Sequence, residues 1–330
     1  MKKVCIVGAG AIGGFIGTRL AAAGHAEVSA LARGATLSAL QQHGWRLQTA
    51  EGLEQAPAKA SVNARDLGPQ DLIIIAVKGP ALAKVAAQIE PLLGPQTAVL
   101  PAMNGVPWWF TEGVAELQGA PLQSLDPDGL IARNITPDRV VGAVVHASTS
   151  TPEPGLVRHK MGRGLIIGEP SGGRSARGHQ IAELLEAAGF EVTHSAQIKA
   201  DIWYKLWGNL TMNPVSAITG ATIDRVLADP LVRAFCSAVM IEAAEIGQRI
   251  GCPIEQTPED RHVVTAKLGA FKSSMLQDVE AGRPIELDSI VSAVQEIGQR
   301  LGIVTPNINA LLGLSRLFGR AHGLYPEAGQ

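Results

Sequence analysis

Three glycines near the N-terminus constrain this chain more than anything else in it. Residues 3–8, KVCIVG, read as a short strand buried on both faces. Gly8, Gly10 and Gly13 follow at the spacing G-x-G-x-x-G, and an alanine-rich run to Ala23 reads as a helix closed by Gly24. Gly8 permits the tight turn, Gly10 lets backbone approach a pyrophosphate, and Gly13 lets helix and strand pack closely. The helix start adds free N–H groups and a partial positive charge for an anion. Gly8, Gly10, Ala11, Ile12 and Gly13 are therefore the expected cofactor-binding stretch. A glycine-rich turn without a ligand is the alternative. The spacing alone is weak; its place at the start of a strand–helix–strand unit gives it force.

That alternation continues. Residues 27–32, 71–77 and 97–101 read as buried strands, with a helix over 80–93 between the last two. Strands follow at 139–147, 164–168 and 191–195, with a polar, proline-bearing connection at 151–160 and a helix at 178–189. The pattern predicts an α/β, Rossmann-type doubly wound sheet. Past residue 196 the period becomes helical, with helices expected at 197–212, 215–220, 224–250, 258–281, 285–302 and 306–319. The expected division is thus a nucleotide-binding domain at 1–195 and an all-α domain at 196–330, with a frayed tail at 321–330. A length of 330 residues suits two domains.

Composition narrows the function classes. With 46% hydrophobic and 18% charged residues the chain is not extensively disordered. A net charge of −2 without a polybasic run argues against nucleic-acid and membrane-surface partners. Cys5, Cys236 and Cys252 form neither a disulfide framework nor a metal cluster, so no metal is expected and a reducing, cytoplasmic setting fits. Met1-Lys2-Lys3 before an apolar run mimics a secretory leader, but residues 4–17 hold five glycines, which argues against one.

Arg33 stands 20 residues after Gly13, at the end of the second strand, where NAD sites place an acid for the ribose 2′-hydroxyl. A guanidinium there suits the 2′-phosphate of NADP, so NADPH is the expected cofactor; a solvated surface arginine is the plain alternative. Lys78 and Asn104-Gly105 follow strand ends, where both residues can face a cofactor. A surface lysine and an ordinary Asn-Gly turn compete with that reading.

Lys205, Asn209 and Asn213 recur every four residues, which puts them on one helix face among large apolar residues. Burial lowers a lysine pKa and makes it a better proton donor near neutrality. The carboxamides can orient an oxygen-bearing substrate without adding charge. A polar face turned to water is the alternative. Downstream, Ser273-Ser274-Met275-Leu276-Gln277-Asp278 and Pro284-Ile285-Glu286-Leu287-Asp288 read alone as a helix end and a capped helix start.

Taken together, GAGAIGG at 8–14, Lys78, Asn104-Gly105, KLWGNLTMNPVSAITG at 205–220, SSMLQD and PIELD resemble the ketopantoate reductase PanE/ApbA family over nearly the whole chain. The resemblance implies a Rossmann domain followed by a helical domain, and NADPH-dependent reduction of 2-dehydropantoate to (R)-pantoate on the way to pantothenate and coenzyme A. It implies Lys205 as general acid and Glu286 as an active-site carboxylate. It further implies Asn104, Asn209, Asn213 and Ser274 at the substrate, Asn104 and Lys78 near the cofactor, and Arg33 at the 2′-phosphate. A small-molecule 2-oxo acid is the expected partner, met by a monomer or homodimer. The chain departs from the family at Phe271, where an asparagine often contacts substrate, and at Trp108-Trp109, a bulky pair beside Asn104. Packing or a subunit contact is the plain reading of the Trp pair; as a reshaped pocket it joins Phe271 in favouring a rival, a paralogue that reduces another branched or aromatic 2-oxo acid. A β-hydroxyacid dehydrogenase fits less well, because IKADIWY before Lys205 lacks glycine. A non-catalytic NADP-binding sensor would have no need of Lys205 and Glu286.

Overall fold

Helix α1 (Ala11–Ala23) carries its glycines where two sheets close on it, and the first half of the fold is organised around that helix. The structure, a computed structural model, describes residues 1–327. It divides into two compact units, one of Met1–Met103 with Asp128–Asp201, the other of Asn104–Pro127 with Ile202 onward.

The first unit begins with β1 (Lys3–Val7), α1, β2 (Glu27–Leu31), α2 (Gly34–His43), β3 (Trp45–Gln48), β4 (Leu53–Ala56) and β5 (Lys59–Ser61). It continues with β6 (Gln70–Ile75), α3 (Gly79–Ala86), β7 (Leu93–Pro101), α4 (Leu130–Asn134), β8 (Gly142–Glu153), β9 (Leu156–Gly168), α5 (Ala176–Ala187) and β10 (Glu191–Ser195). Strands β5-β2-β1-β6-β7 form an all-parallel sheet in that order. The apolar runs VCIV and LIII supply its centre, buried on both faces, as a parallel sheet between packed layers requires. A second, mixed sheet runs β10-β9-β3-β4, with β8 antiparallel to β9.

Side chains at the α1 glycines would collide with both sheets. A Cβ on Gly14 would stand 2.5 Å from Val157 of β9, and one on Gly17 would stand 2.5 Å from Trp45 of β3. Each helical glycine costs about 1 kcal/mol against alanine. Phe15, Ile16 and Leu20, essentially fully buried, each return about 1.5–3 kcal/mol. The close approach that glycine allows is what buries them.

Several expectations change here. The stretch 45–61 holds three strands and α2 precedes it, none of which the sequence pattern announced. The connection at 151–160 is the end of a long hairpin, turning at Gly155 with φ +71°. The helix expected over 80–93 stops at Ala86, and a short 3₁₀ turn, Glu90–Leu92, leads into β7.

The second unit contains α6 (Ile198–Thr219, from Ile202), α7 (Ile223–Ala228), α8 (Pro230–Arg249), α9 (Pro258–Ala266), α10 (Ser274–Glu280), α11 (Ala293–Arg300) and α12 (Pro306–Ala321). Helix α6 runs through Pro214 rather than breaking there. Proline costs the Leu210 carbonyl its helical donor, and burial of Leu210, Met212, Val215 and Ala217 on both sides outweighs that loss. The helix expected at 258–281 is two, separated by residues 267–273, and the one expected at 224–250 breaks at Asp229, whose carboxylate caps α8. The helix expected at 285–302 begins at Leu287 with a π-helical turn, Asp288–Ser292.

The expected division at 195/196 does not coincide with the compact units, because residues 104–127 pack with the helices. Glu296 of α11 accepts hydrogen bonds from the Gln123 and Ser124 N–H groups, both at 2.8 Å, and Arg300 donates to the Ala120 carbonyl at 2.9 Å. The tail is ordered up to residue 327: Leu324 is buried, and its N–H bonds the Gly319 carbonyl at 2.7 Å. Residues 328–330 of the expected frayed end lie outside the described residues. Among the described residues no helix is long and apolar enough to cross a membrane.

Gly17→Ala is expected to destabilise the protein by about 1–3 kcal/mol, because Trp45 has to move. Gly313→Ala, in α12 with open space at its Cβ, should be neutral or stabilising. Denaturant unfolding of both variants checks the contrast.

Candidate functional site

The glycine turn is packed from behind and open in front. Gly8 has φ +90°, and a Cβ there would stand 2.5 Å from Val77. A Cβ on Gly13 would stand 2.0 Å from the Gly8 carbonyl oxygen, so only glycine lets α1 come this close to β1. At Gly10, by contrast, a Cβ would meet no atom within 4 Å. Gly10 caps α1 without any side-chain bond, and the Gly14 N–H is the first to close within the helix, on the Gly10 carbonyl at 2.7 Å. The N–H groups of Ala11, Ile12 and Gly13 have no carbonyl four residues back inside the helix. Open space ahead of such groups fits a pyrophosphate.

Arg33 lies just past β2, exposed, at the cap of α2. The first turn of α2 holds no acid, and the chain has none between Glu27 and Glu51. A phosphate fits a guanidinium beside a helix N-terminus; a ribose hydroxyl that needs a carboxylate finds none in this stretch. Lys78 follows β6 and caps α3 at its N-terminus. The donor set of the first unit, Gly8 to Gly13 with Arg33 and Lys78, thus suits the phosphates of a dinucleotide.

In the second unit Lys205 of α6 donates from Nζ to Oδ1 of Asn104 at 2.9 Å. Asn104 was expected with the nucleotide-binding half, but it packs in the helical unit. Its position is set by Gly105, with φ +84°, and by the Val106 N–H, which donates to the Ser289 carbonyl at 2.7 Å. A side chain on Gly105 would stand 2.4 Å from that same oxygen. The π-helical turn supplies the acceptor: the Ala293 N–H bonds the Asp288 carbonyl five residues back, and the Ser289 oxygen receives the Asn104 loop.

Burial pushes the Lys205 ammonium down from 10.5 to about 8, and the negative charge of Glu286 opposes that fall. Of the expected residues, Lys205 is thus bonded to Asn104 and feels the charge of Glu286. Asn209 and Asn213 continue the face of α6, the first half-buried and the second buried. The two serines divide their work. Ser273 is buried and caps α10 by accepting from the Leu276 N–H at 3.1 Å, whereas the neighbouring Ser274 is exposed. Phe271 is half-buried in the preceding loop, where its carbonyl accepts from the Ile223 N–H at 3.0 Å.

Trp108 and Trp109 do not form an open wall. They are 4% and 1% exposed, and the adjacent Phe110 stacks on Trp203 at 5.8 Å. They are core of the helical unit, which removes one of the two sequence reasons for a reshaped pocket. Sequence reasoning missed the π-helical turn and its acceptor Ser289. The motif PIELD-S lies on them, but a backbone bulge has no residue signature that would have shown it.

Two family models described as "Ketopantoate reductase PanE/ApbA" and "Ketopantoate reductase PanE/ApbA C terminal" match residues 4–172 and 197–318. A 2-dehydropantoate 2-reductase of Mesorhizobium japonicum is 43% identical over 324 residues, 98% of this chain and 99% of that protein. A solved structure of a candidate ketopantoate reductase from Ralstonia solanacearum MolK2 superposes with TM-score 0.95 at 55% identity, covering 98% of this chain and 100% of that one. A PanE/ApbA family ketopantoate reductase from Ralstonia eutropha JMP134 superposes with TM-score 0.83 at 29% identity, covering 98% and 100%.

Two outcomes are expected. Gly10→Val should leave stability within about 1 kcal/mol, since the space is open, yet weaken dinucleotide binding by about tenfold or more; calorimetric titration beside a melt separates the two. Glu286→Gln removes the charge that favours the ammonium, so the Lys205 pKa should fall below about 8, as read by NMR titration of labelled lysine side chains.

Proposed function

This chain belongs to the ketopantoate reductase PanE/ApbA family, whose members are pyridine-nucleotide-dependent oxidoreductases, and from that membership we propose that it reduces 2-dehydropantoate to (R)-pantoate with NADPH, in pantothenate and coenzyme A biosynthesis. The observation that carries the proposal is the Lys205 ammonium, bonded to Asn104, influenced by Glu286 and poised near pH 8. When bound, the reduced nicotinamide supplies a hydride to the ketone carbon. As that carbon becomes tetrahedral, negative charge builds on the ketone oxygen, and Lys205 stabilises it and delivers the proton from Nζ. Asn104 holds the ammonium through Oδ1 and leaves its own N–H₂ to donate. Glu286 keeps the amine protonated, the form a general acid must have. Asn209, Asn213 and Ser274 supply uncharged hydrogen-bonding groups for the substrate's carboxylate and hydroxyl. On the nucleotide side, the α1 N-terminus holds the pyrophosphate and Arg33 the 2′-phosphate, with Lys78 as a further cation near the cofactor.

A second reading is favoured by Phe271. Its ring offers no hydrogen bond where the family often has asparagine, so another branched or aromatic 2-oxo acid is the competing substrate. Turnover on a panel of 2-oxo acids decides. The first reading requires 2-dehydropantoate to have the highest kcat/KM, and a preference for a substrate without the 4-hydroxyl selects the second.

Lys205→Ala should lower kcat by about 10²-fold or more and leave NADPH affinity nearly intact, measured by steady-state rates and fluorescence titration. Arg33→Ala should raise the KM for NADPH by about tenfold or more and leave that for NADH unchanged, since a charge-assisted phosphate contact is lost only with the former. A wild-type enzyme that uses NADH as well as NADPH contradicts the cofactor assignment.

A further inference from the structure

Glu286 sits on a stretch with no regular structure of its own. Pro284 contributes no N–H, and helical backbone resumes only at Leu287. Ile285 and Leu287 are 2% and 0% exposed, so they anchor the stretch in the core and leave Glu286 between them half-buried. Something else must fix this extended piece along its length, and the C-terminal residues do so. The Ile285 N–H donates to the Leu324 carbonyl at 3.0 Å, one residue before Glu286. The Tyr325 hydroxyl donates to Oδ1 of Asp288 at 2.5 Å, two residues after it. Ser292 donates to the same oxygen at 3.0 Å, across the π-helical turn. Tyr325 is itself seated on Gly319, where a Cβ would stand 2.6 Å from its own. Arg320 faces the ring from α12 at 5.9 Å, and Arg316 acts on the hydroxyl from the same helix.

The amide bonded to Lys205 and the carboxylate whose charge acts on it both connect to this turn. Glu286 enters it, and Asn104 is tied to it through Val106 and Ser289. We propose that Tyr325 is a positioning residue for the reduction: its hydroxyl, through Asp288, sets where the Glu286 carboxylate and the Asn104 amide stand against the Lys205 ammonium. The inference rests on the reading of Lys205 as proton donor. It gives the last described turn of the chain a role in the chemistry besides packing. Burial and the Asp288 carboxylate push the phenol up to about 12, so Tyr325 remains a donor throughout the working range of the enzyme.

Tyr325→Phe keeps the ring on Gly319 and removes only the hydroxyl. The expected result is a kcat lower by about threefold to tenfold with an unchanged NADPH dissociation constant. The upper limb of the kcat/KM profile should move down by about 0.5 pH unit, because Glu286 acts less well on the ammonium. Asp288→Ala should give the same shift, and the double variant should be no worse than the poorer single, as members of one chain of contacts behave. NMR titration of labelled lysine side chains, with Lys205 assigned by Lys205→Arg, should show the same fall and needs no substrate. A Lys205 titration identical to the wild type, or shifted upward, overturns the proposal even if the melting temperature drops. Lys205→Ala is measured in parallel. If it turns over like the wild type, the underlying mechanism fails; if it is inactive while Tyr325→Phe titrates normally, only the positioning role fails.

Discussion

Burying an ammonium costs free energy, and the helical unit is arranged around a lysine for which that cost is only partly offset. Lys205 stands on α6, the helix that also buries Trp203, Leu206 and Trp207. Burial pulls the lysine pKa down toward 8, while the charge of Glu286 favours the ammonium and the Asn104 amide accepts from it. A fully solvated lysine would hold its proton too tightly to give it up near neutrality. A fully buried and unpaired one would already have lost it at neutral pH. Asn104 and Glu286 come from segments far apart in the chain, and both connect to one irregular turn, Asp288–Ser292: Glu286 precedes it and the Asn104 loop bonds it through Val106 and Ser289.

A second close approach governs the other unit. Helix α1 is glycine-rich because it is covered on two sides: Gly13 faces β1, Gly14 faces β9 and Gly17 faces β3. The first turn of α1 keeps N–H groups without a carbonyl four residues back, and the space around Gly10 is open. The proposed anion binding would thus rest on the same packing. A residue larger than glycine at position 13 would meet the Gly8 carbonyl oxygen and displace the helix.

How much of this could be read from sequence depends on whether a feature is local. The β1–α1 turn and strand β6 show in runs of a few residues, and so does the Lys205-Asn209-Asn213 stripe, because period and spacing are local properties. Strands β3, β4 and β5 do not show. They are three or four residues long, and each owes its existence to partners elsewhere, β3 to Leu156–Arg158 of β9 and β5 to β2. The π-helical turn is a backbone property, and Pro214 looked like a helix end because the burial that outweighs it is tertiary. For Trp108 and Trp109 the sequence left packing and a reshaped pocket both open, because neighbouring Asn104 in the chain does not say where a side chain points; burial in the core settles it for packing. The tail looked frayed because ten residues of ordinary composition say nothing about a hydroxyl meeting Asp288.

The most direct test of the account is the pH dependence of kcat/KM for reduction of 2-dehydropantoate by the wild-type enzyme with NADPH, from pH 6 to 10. The proposed mechanism needs the amine protonated, and burial lowers its pKa to about 8. The rate constant should therefore be level below that value and fall about tenfold per unit above it. A profile that stays level to pH 10, or rises above pH 8, would mean that Lys205 does not give the proton.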